Sequence, residues 1–236
     1  MQLLVSVRDA AEARSALAGG GEIIDAKEPG AGALGPVSAA ALRAIRSVVP
    51  ASIRCSAALG DVASRADVDR AFAHIDVPLD FVKLGFRGIA DSARVQELLA
   101  AAVAAARTRP GAPKVVAVSY ADHARMASLA TAEFPAVVRT AGAAGLLVDT
   151  GLKEGGGLFD HRSPAQLLSL AQSLSAFGAF LALGGSLDVA HFPRVGSTGA
   201  TIVGVRGAAC SGGRNGMIDE GRVRRLSREL EESTRD

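Results

Sequence analysis

The segment that decides the fold is LLVSVRDAAEARSALAGGGEIIDAK, residues 3–27. It opens with a short apolar run at 3–7, which predicts a buried β-strand. Asp9 then precedes an alanine-rich stretch as a typical helix N-cap, and the glycines at 19–21 end that helix. A second apolar run at 22–26 predicts the next strand. A strand, a helix and a return to a strand form the repeating unit of a parallel α/β sheet.

The same unit recurs along the whole chain, and we predict eight strands with helices between them. The further strands are expected at residues 52–57, 80–84, 114–119, 145–149, 180–183 and 201–205. The further helices are expected at 37–49, 61–74, 92–107, 122–143 with a break near Pro135, 163–177, 187–192 and 219–232. Because the strands are continuously apolar, both faces of the sheet must be buried. Eight such units predict an α/β fold, a single (β/α)8 TIM barrel that occupies residues 1–236 as one domain.

Composition limits the class of protein. The 236 residues carry a formal net charge of +2, which gives no excess that would require nucleic acid. No apolar run approaches the length of a membrane span and no signal peptide is evident, so we expect a cytoplasmic protein without membrane or nucleic-acid partners. The two cysteines form no spacing motif. The sequence leaves open whether the chain forms a homo-oligomer.

Lysine is scarce, since only four of the 26 lysine and arginine residues are lysines. A chain with this bias is expected to keep lysine where a residue must lose its proton, which the high pKa of arginine prevents. Lys27, Lys83 and Lys153 each follow a short apolar strand, with Asp25 and Asp149 nearby. The loops after the strands of a barrel share one face, so we predict that these residues meet there. The fourth lysine precedes its strand and is expected to face solvent at the opposite end.

Two glycine-rich turns follow the last two predicted strands. Glycine lets backbone amides approach an anion closely, and the loops after strands seven and eight of a barrel commonly hold a phosphate. We therefore predict a substrate phosphate site formed by Gly184, Gly185, Ser186, Gly204, Arg206 and Gly207. The arginine is expected to add a charge-assisted contact. Glycine also ends many helices in α/β proteins, so the turns by themselves do not require a ligand.

Lysines and carboxylates that face a phosphate site suit amine chemistry on a sugar phosphate. Neighbouring ammonium groups and burial each lower the pKa of a lysine, which makes a free amine available near neutral pH. Such an amine can form a Schiff base with a carbonyl, and Asp25 or Asp149 can then move protons. The plainer interpretation is a salt bridge between Asp25 and Lys27, although burying several charges together is costly without a function.

Other chemistries have less support. The four histidines, at 74, 123, 161 and 191, lack the spacing of metal ligands, and lysines among the aspartates would compete with a magnesium ion. There is no nucleophile elbow and no dinucleotide-binding glycine motif after the first strand. Cys55, on the third predicted strand, is interpreted as a packing residue. We therefore expect neither a metal nor an organic cofactor.

Several segments together resemble the (5-formylfuran-3-yl)methyl phosphate synthase family. They are LLVSV at 3–7, AGGGEIIDAKEP at 18–29, ALG at 33–35, FVKLG at 81–85 and LVDTGLK at 147–153. The resemblance extends over nearly the whole chain. It implies a (β/α)8 barrel that condenses two glyceraldehyde 3-phosphate molecules to a furan aldehyde phosphate, with loss of phosphate and water, in methanofuran biosynthesis.

The resemblance also implies roles for the clustered residues. Lys27 would be the Schiff-base lysine and Lys83 the proton acceptor, while Asp25, Asp149 and Lys153 would be supporting acid, base and orienting groups. The enzyme implied is a carbon–oxygen lyase of C1 cofactor metabolism that takes a phosphorylated small molecule. Two alternatives share the amine and the phosphate site. One is another class I sugar-phosphate aldolase, and the other is a phosphosugar-binding barrel without turnover.

Overall fold

The computed structural model describes residues 1–152 and 156–233, and its central feature is a closed barrel of eight parallel strands in chain order. The strands are β1 (Gln2–Val7), β2 (Ile23–Ala26), β3 (Arg54–Asp61), β4 (Phe81–Gly85), β5 (Lys114–Tyr120), β6 (Gly145–Asp149), β7 (Phe180–Leu183) and β8 (Ile202–Val205). The pairing of Gln2 with Ile202, and of Leu3 with Val203, joins β1 to β8 and closes the sheet. The predicted (β/α)8 TIM barrel is thereby confirmed.

Helices follow the strands and cover the outside of the barrel. They are α1 (Ala10–Ala18), α2 (Ala39–Val48), α3 (Arg65–Ala73), α4 (Ser92–Ala106), α5 (Phe134–Ala141), α6 (Leu158–His161), α7 (Pro164–Ser175), α8 (Phe192–Gly196) and α9 (Glu220–Glu232). The Asp9 side chain accepts a hydrogen bond of 2.9 Å from the Glu12 amide, which confirms the predicted N-cap of α1. The larger apolar core lies between these helices and the sheet. Within the described residues, no helix has the length and apolar character needed to cross a bilayer.

The prediction of a helix from residue 122 is wrong for its first part. Residues 121–127 form turns, and helical structure begins only with a 3-10 turn at Thr131–Glu133 that leads into α5. The reason lies in Asp122. Instead of capping a helix, its carboxylate accepts hydrogen bonds from the amides of Gly151 (2.7 Å) and Leu152 (2.9 Å) in the loop after β6.

An antiparallel hairpin after β8 is a further departure from the predicted strand-and-helix alternation. Its strands are β9 (Cys210–Ser211) and β10 (Met217–Ile218). The connection between them contains Gly212 and Gly213 at φ values of +81° and +79°, where glycine is favoured. The same connection carries Arg214, which lines the central cavity of the barrel. The hairpin therefore contributes to the functional face.

The two ends of the barrel differ as predicted. Lys114 is exposed at the start of β5, on the end opposite to the loops that follow the strands. At the other end, Leu34 from the loop after β2 and Met126 from the loop after β5 belong to one apolar cluster with Tyr120. Burial, followed by the charge of Asp61 and the hydrogen bond to it, raises the pKa of Tyr120, which keeps this phenol neutral. These side chains fill part of the barrel mouth and leave the remainder as a cavity.

Candidate active site

A cavity of about 380 Å³ opens at the end of the barrel where the loops after the strands meet. Its lower part is lined by apolar strand residues, down to Phe81 and Phe180, whose rings meet edge to face at 5.5 Å. Its upper part is polar and includes Lys27, Lys83 and Asp149. A cavity of this volume is typical of sites that bind small molecules.

Asp25 is the fully buried centre of the polar part. Its Oδ2 atom accepts a hydrogen bond from Ser6 Oγ (2.8 Å) and lies 2.7 Å from Lys83 Nζ, and its Oδ1 atom accepts from Ser56 Oγ (2.7 Å). Ser6, Asp25 and Ser56 are register partners on β1, β2 and β3, so their side chains point to the same side of the sheet. The strand register therefore assembles one polar cluster from four adjacent strands.

Two lysines balance the charge on Asp25. Burial acts to raise the pKa of the Asp25 carboxyl, but the ammonium groups of Lys83 and Lys27 and hydrogen bonds from Lys83 and Ser56 outweigh it. They hold the pKa of Asp25 below its ordinary value. Asp25 is therefore an ionised carboxylate at neutral pH. Lys27 and Lys83 are only 7% and 5% exposed, so both amines are shielded from bulk water.

Asp149, at the end of β6, faces the same cavity. Its Oδ1 atom accepts a hydrogen bond of 2.7 Å from the Thr150 amide. A Cβ atom added to Gly184 would lie 3.2 Å from the Cγ atom of Asp149, so the glycine lets the loop after β7 pass close to this carboxylate. The structure thus brings together four of the five predicted catalytic residues, and the fifth, Lys153, lies outside the described residues.

The loops after β7 and β8 border the cavity. All six residues of the predicted phosphate site line it, namely Gly184, Gly185, Ser186, Gly204, Arg206 and Gly207. The Gly184 amide is already used, because it donates to the carbonyl oxygen of Val148 at 2.9 Å. The amides of Gly185, Ser186 and Gly207 donate to none of the described residues. These three amides are therefore available to an anion.

Gly185 is required by the shape of this turn. Its φ is +100°, a region that disfavours side chains, and the next residue, Ser186, has a φ of +56°. An added Cβ atom would lie 3.1 Å from Thr150 Cγ2 and 3.2 Å from the Thr150 nitrogen. A side chain at position 185 would therefore push the turn away from the loop after β6.

Arg206 takes a different position from the one predicted. Its buried guanidinium donates to the Glu12 carboxylate through Nη1 (2.8 Å) and Nη2 (3.1 Å). Its other hydrogen bonds go to the carbonyl oxygens of Ser6, Arg214 and Gly216. These bonds use all five donors of the guanidinium. The predicted contact between this side chain and a phosphate therefore conflicts with the geometry, and Arg206 instead fastens the loop after β8 to β1 and α1.

Arg214 is a candidate that motif-based reasoning missed. A Cβ atom added to Gly207 would lie 3.9 Å from the Cα atom of Arg214, so this arginine sits directly beside the loop after β8. Its Nη2 atom donates to the carbonyl oxygen of Gly32 at 2.8 Å, in the loop after β2. The signal in the sequence is the glycine-rich segment at 212–216, which is typical of a tight turn.

Ser6 and Ser56 were missed for another reason. Each is a small polar residue between apolar neighbours in its strand, and no catalytic motif includes it. Such a residue predicts a buried hydrogen bond, since hydroxyl groups in protein interiors are almost always paired. Here both hydroxyls donate to Asp25, so the serines orient the central carboxylate.

Cys55 and the histidines do not take part in this cluster. Cys55 lies in the core between sheet and helices, and burial raises the pKa of its thiol to about 12, so packing is its role, as predicted. In residues 1–152 and 156–233, no three or more His, Cys, Asp or Glu side chains are grouped so that they could hold a metal ion. The expectation that the reaction needs no metal rests on the lysines, because a lysine amine can activate a carbonyl as a Schiff base.

Comparison with known proteins identifies the family. The 4-HFC-P synthase family model matches residues 3–227. A (5-formylfuran-3-yl)methyl phosphate synthase of Methanocaldococcus jannaschii is 38% identical over 240 residues, which cover 98% of this chain and 99% of that protein. One of the same name from Methanopyrus kandleri is 38% identical over 233 residues, 97% of this chain and 98% of that protein.

Similarity to a solved structure bears on the fold only. A 3-hexulose-6-phosphate synthase superposes with a TM-score of 0.64 at 20% identity, over 99% of both chains. The family assignment comes from the sequence comparisons, which confirm the resemblance seen in the motifs around Lys27, Lys83 and Asp149. This chain belongs to the 4-HFC-P synthase family.

Proposed function

We propose that this chain is a (5-formylfuran-3-yl)methyl phosphate synthase that condenses two molecules of glyceraldehyde 3-phosphate through a Schiff base on Lys27. One observation carries the proposal. The buried cluster of lysines and carboxylates shares a cavity with the available amides of the loops after β7 and β8. The cluster supplies an amine and groups for proton transfer, and the amides supply a site for phosphate.

Lys27 is the proposed nucleophile. It follows β2 directly, lines the cavity and corresponds to the Schiff-base lysine that the family resemblance implies. The neutral amine of Lys27 would attack the aldehyde carbon of the first substrate molecule, and loss of water would leave an iminium ion. The iminium group withdraws electrons from the adjacent carbon and makes its C–H bond acidic.

Lys83 is the proposed proton-transfer group. A proton that Lys83 gives to the departing hydroxyl group during iminium formation leaves a neutral amine beside Asp25, and this amine can accept the carbon-bound proton. The enamine formed would attack the aldehyde of the second substrate molecule. As the furan ring closes, a hydroxyl group of the second molecule would add to the iminium carbon and displace the Lys27 amine. Phosphate and water would leave in these steps, with Asp149 as an acid and base and Lys153 as an orienting group.

The substrate phosphate is proposed to lie against the amides of Gly185, Ser186 and Gly207. In this arrangement Gly184 and Gly204 act by keeping side chains out of the cavity. Since the reaction breaks carbon–oxygen bonds to phosphate and water, the enzyme would be a carbon–oxygen lyase. Its product would serve the synthesis of a methanofuran-type cofactor in C1 metabolism.

Incubation of the purified protein with glyceraldehyde 3-phosphate tests this proposal. The expected result is the absorbance of a furan aldehyde together with release of an equal amount of phosphate, at a rate that EDTA does not change. Reversible carbon–carbon cleavage without a furan product would instead indicate another class I aldolase. Binding without turnover would indicate a phosphosugar-binding barrel, and either outcome contradicts the proposal.

A further inference from the structure

We propose that Arg214 is the residue whose guanidinium binds the phosphate group of the substrate. This inference rests on the proposed phosphorylated substrate and replaces the predicted contact by Arg206. Arg206 has no donor left for a ligand, because Glu12 and three carbonyl oxygens take all five. Arg214 lines the same cavity and lies beside Gly207, whose amide is available to an anion.

One side of the Arg214 guanidinium is hydrogen-bonded to the protein, and the other side has donors that are not used by the described residues. Its Nη2 atom donates to the carbonyl oxygens of Gly32 (2.8 Å) and Pro29 (3.4 Å) in the loop after β2. Its Nε and Nη1 atoms donate to none of the described residues, and neither atom is sealed from solvent. The donors on Nε and Nη1 therefore remain for a ligand in the cavity.

Partial burial of the Arg214 guanidinium also favours an anionic ligand. Burial lowers the pKa of Arg214 and the charge of Asp149 acts to raise it, and an arginine in a protein stays charged at neutral pH. A charged group that has lost part of its hydration gains a strong partner in a phosphate, which can accept two parallel hydrogen bonds from a guanidinium. The bond to Gly32 fixes the side chain before the ligand arrives, so less conformational freedom is lost on binding.

Titration calorimetry with sn-glycerol 3-phosphate tests the assignment. This probe has the phosphate of the triose but no aldehyde, so it cannot form a Schiff base. Arg214→Gln should weaken its binding by about tenfold or more, as expected for the loss of hydrogen bonds to a charged group. Arg214→Lys should lie in between, because lysine keeps the charge but not the bidentate geometry. The control is Arg225→Gln on α9, whose side chain is 68% exposed, and it should bind as the wild type does.

The outcomes separate this inference from the proposed function. Equal binding by wild type and Arg214→Gln would overturn the assignment of Arg214 and leave the condensation reaction in place. No binding by the wild type would remove the phosphate site that both require. A second experiment uses only the wild-type protein, so its result does not depend on whether the variants fold. Glycerol 3-phosphate should protect Arg214, but not Arg225, from modification by phenylglyoxal, as detected by mass spectrometry of the peptides. An unprotected Arg214 would refute the inference.

Discussion

The Nζ atom of Lys83 lies 2.7 Å from the Oδ2 atom of Asp25, and both side chains are buried inside the barrel. The two residues belong to β4 and β2, so their ion pair reaches across β3, whose Ser56 donates to the other oxygen of Asp25. A buried ion pair adds little net stability, because the loss of hydration offsets the attraction between the charges. A role in proton transfer therefore explains the position of this ion pair in the cavity better than a contribution to folding stability does.

Asp25→Asn should lower kcat by about a hundredfold or more, because the variant leaves Lys83 without its anionic partner for proton transfer. The same change should lower the free energy of unfolding by about 3 kcal/mol, since it leaves a buried charge unpaired. Urea unfolding and the furan assay measure the two effects. Asp69→Asn, on α3 with a side chain 62% exposed, is the control and should change neither quantity appreciably.

The stability of the wild type should also depend on pH through Asp25. Because the folded-state pKa of Asp25 lies below its unfolded value of about 4, the ionised carboxylate stabilises the fold above that pH. This contribution is lost as the pH falls through the folded-state pKa. Between about pH 6 and about pH 3, the wild type should therefore lose more free energy of unfolding than Asp25→Asn. Parallel pH curves for the two proteins would contradict the lowered folded-state pKa of Asp25.

Glu12 and Arg206 should be strongly coupled in a double-mutant cycle. Glu12→Gln should lower the free energy of unfolding by about 3–5 kcal/mol, because it leaves the buried Arg206 guanidinium without a carboxylate. Arg206→Gln should lower it by less, because Glu12 keeps its ion pair with Arg8 at 3.0 Å. The double variant should lose clearly less than the sum. The exposed pair of Arg65 and Asp69 serves as the control, with a coupling energy below about 1 kcal/mol. Additive effects at Glu12 and Arg206 would show that their ion pair does not fasten the loop after β8.

Gly185→Ala should raise KM for glyceraldehyde 3-phosphate by about tenfold or more, because the turn proposed to bind the substrate phosphate must shift and would lose hydrogen bonds to a charged group. Gly178→Ala is the matched control. Its φ of +79° imposes a similar backbone strain, but no atom lies within 4 Å of the added Cβ. That variant should lose about 1–2 kcal/mol of stability and keep its KM. If all three proteins share one KM, the phosphate site is not in the loop after β7.

The barrel and most of the candidate catalytic cluster could be predicted because they depend on local patterns. Apolar runs followed by capped helices recur along the chain, and the rarity of lysine marked Lys27 and Lys83. The predictions that were wrong concern residues whose contacts are with segments far away in the sequence. Glu12, whose carboxylate accepts hydrogen bonds from the Arg206 guanidinium, is 194 residues away in the chain. Asp122 likewise makes bonds to the loop after β6 that no helix propensity anticipates.

Lys27→Arg tests whether position 27 needs a charge or an amine. The variant keeps a positive charge near Asp25, but a guanidinium cannot form an iminium ion with an aldehyde. Loss of a covalent nucleophile should lower kcat by about three orders of magnitude or more, whereas a residue that only balanced Asp25 would leave most of the activity. The furan assay measures this directly.

Borohydride trapping identifies the reacting lysine. Reduction in the presence of substrate should add mass to the peptide that contains Lys27 and leave Lys114, exposed at the opposite end of the barrel, unmodified. Lys83→Arg should impair turnover but still permit trapping at Lys27, because its proposed role is proton transfer rather than bond formation to substrate. An adduct on Lys83 would support a Schiff-base mechanism but would show that Lys83, and not Lys27, is the nucleophile. Unmodified lysines, together with full turnover by Lys27→Arg, would rule out the amine mechanism.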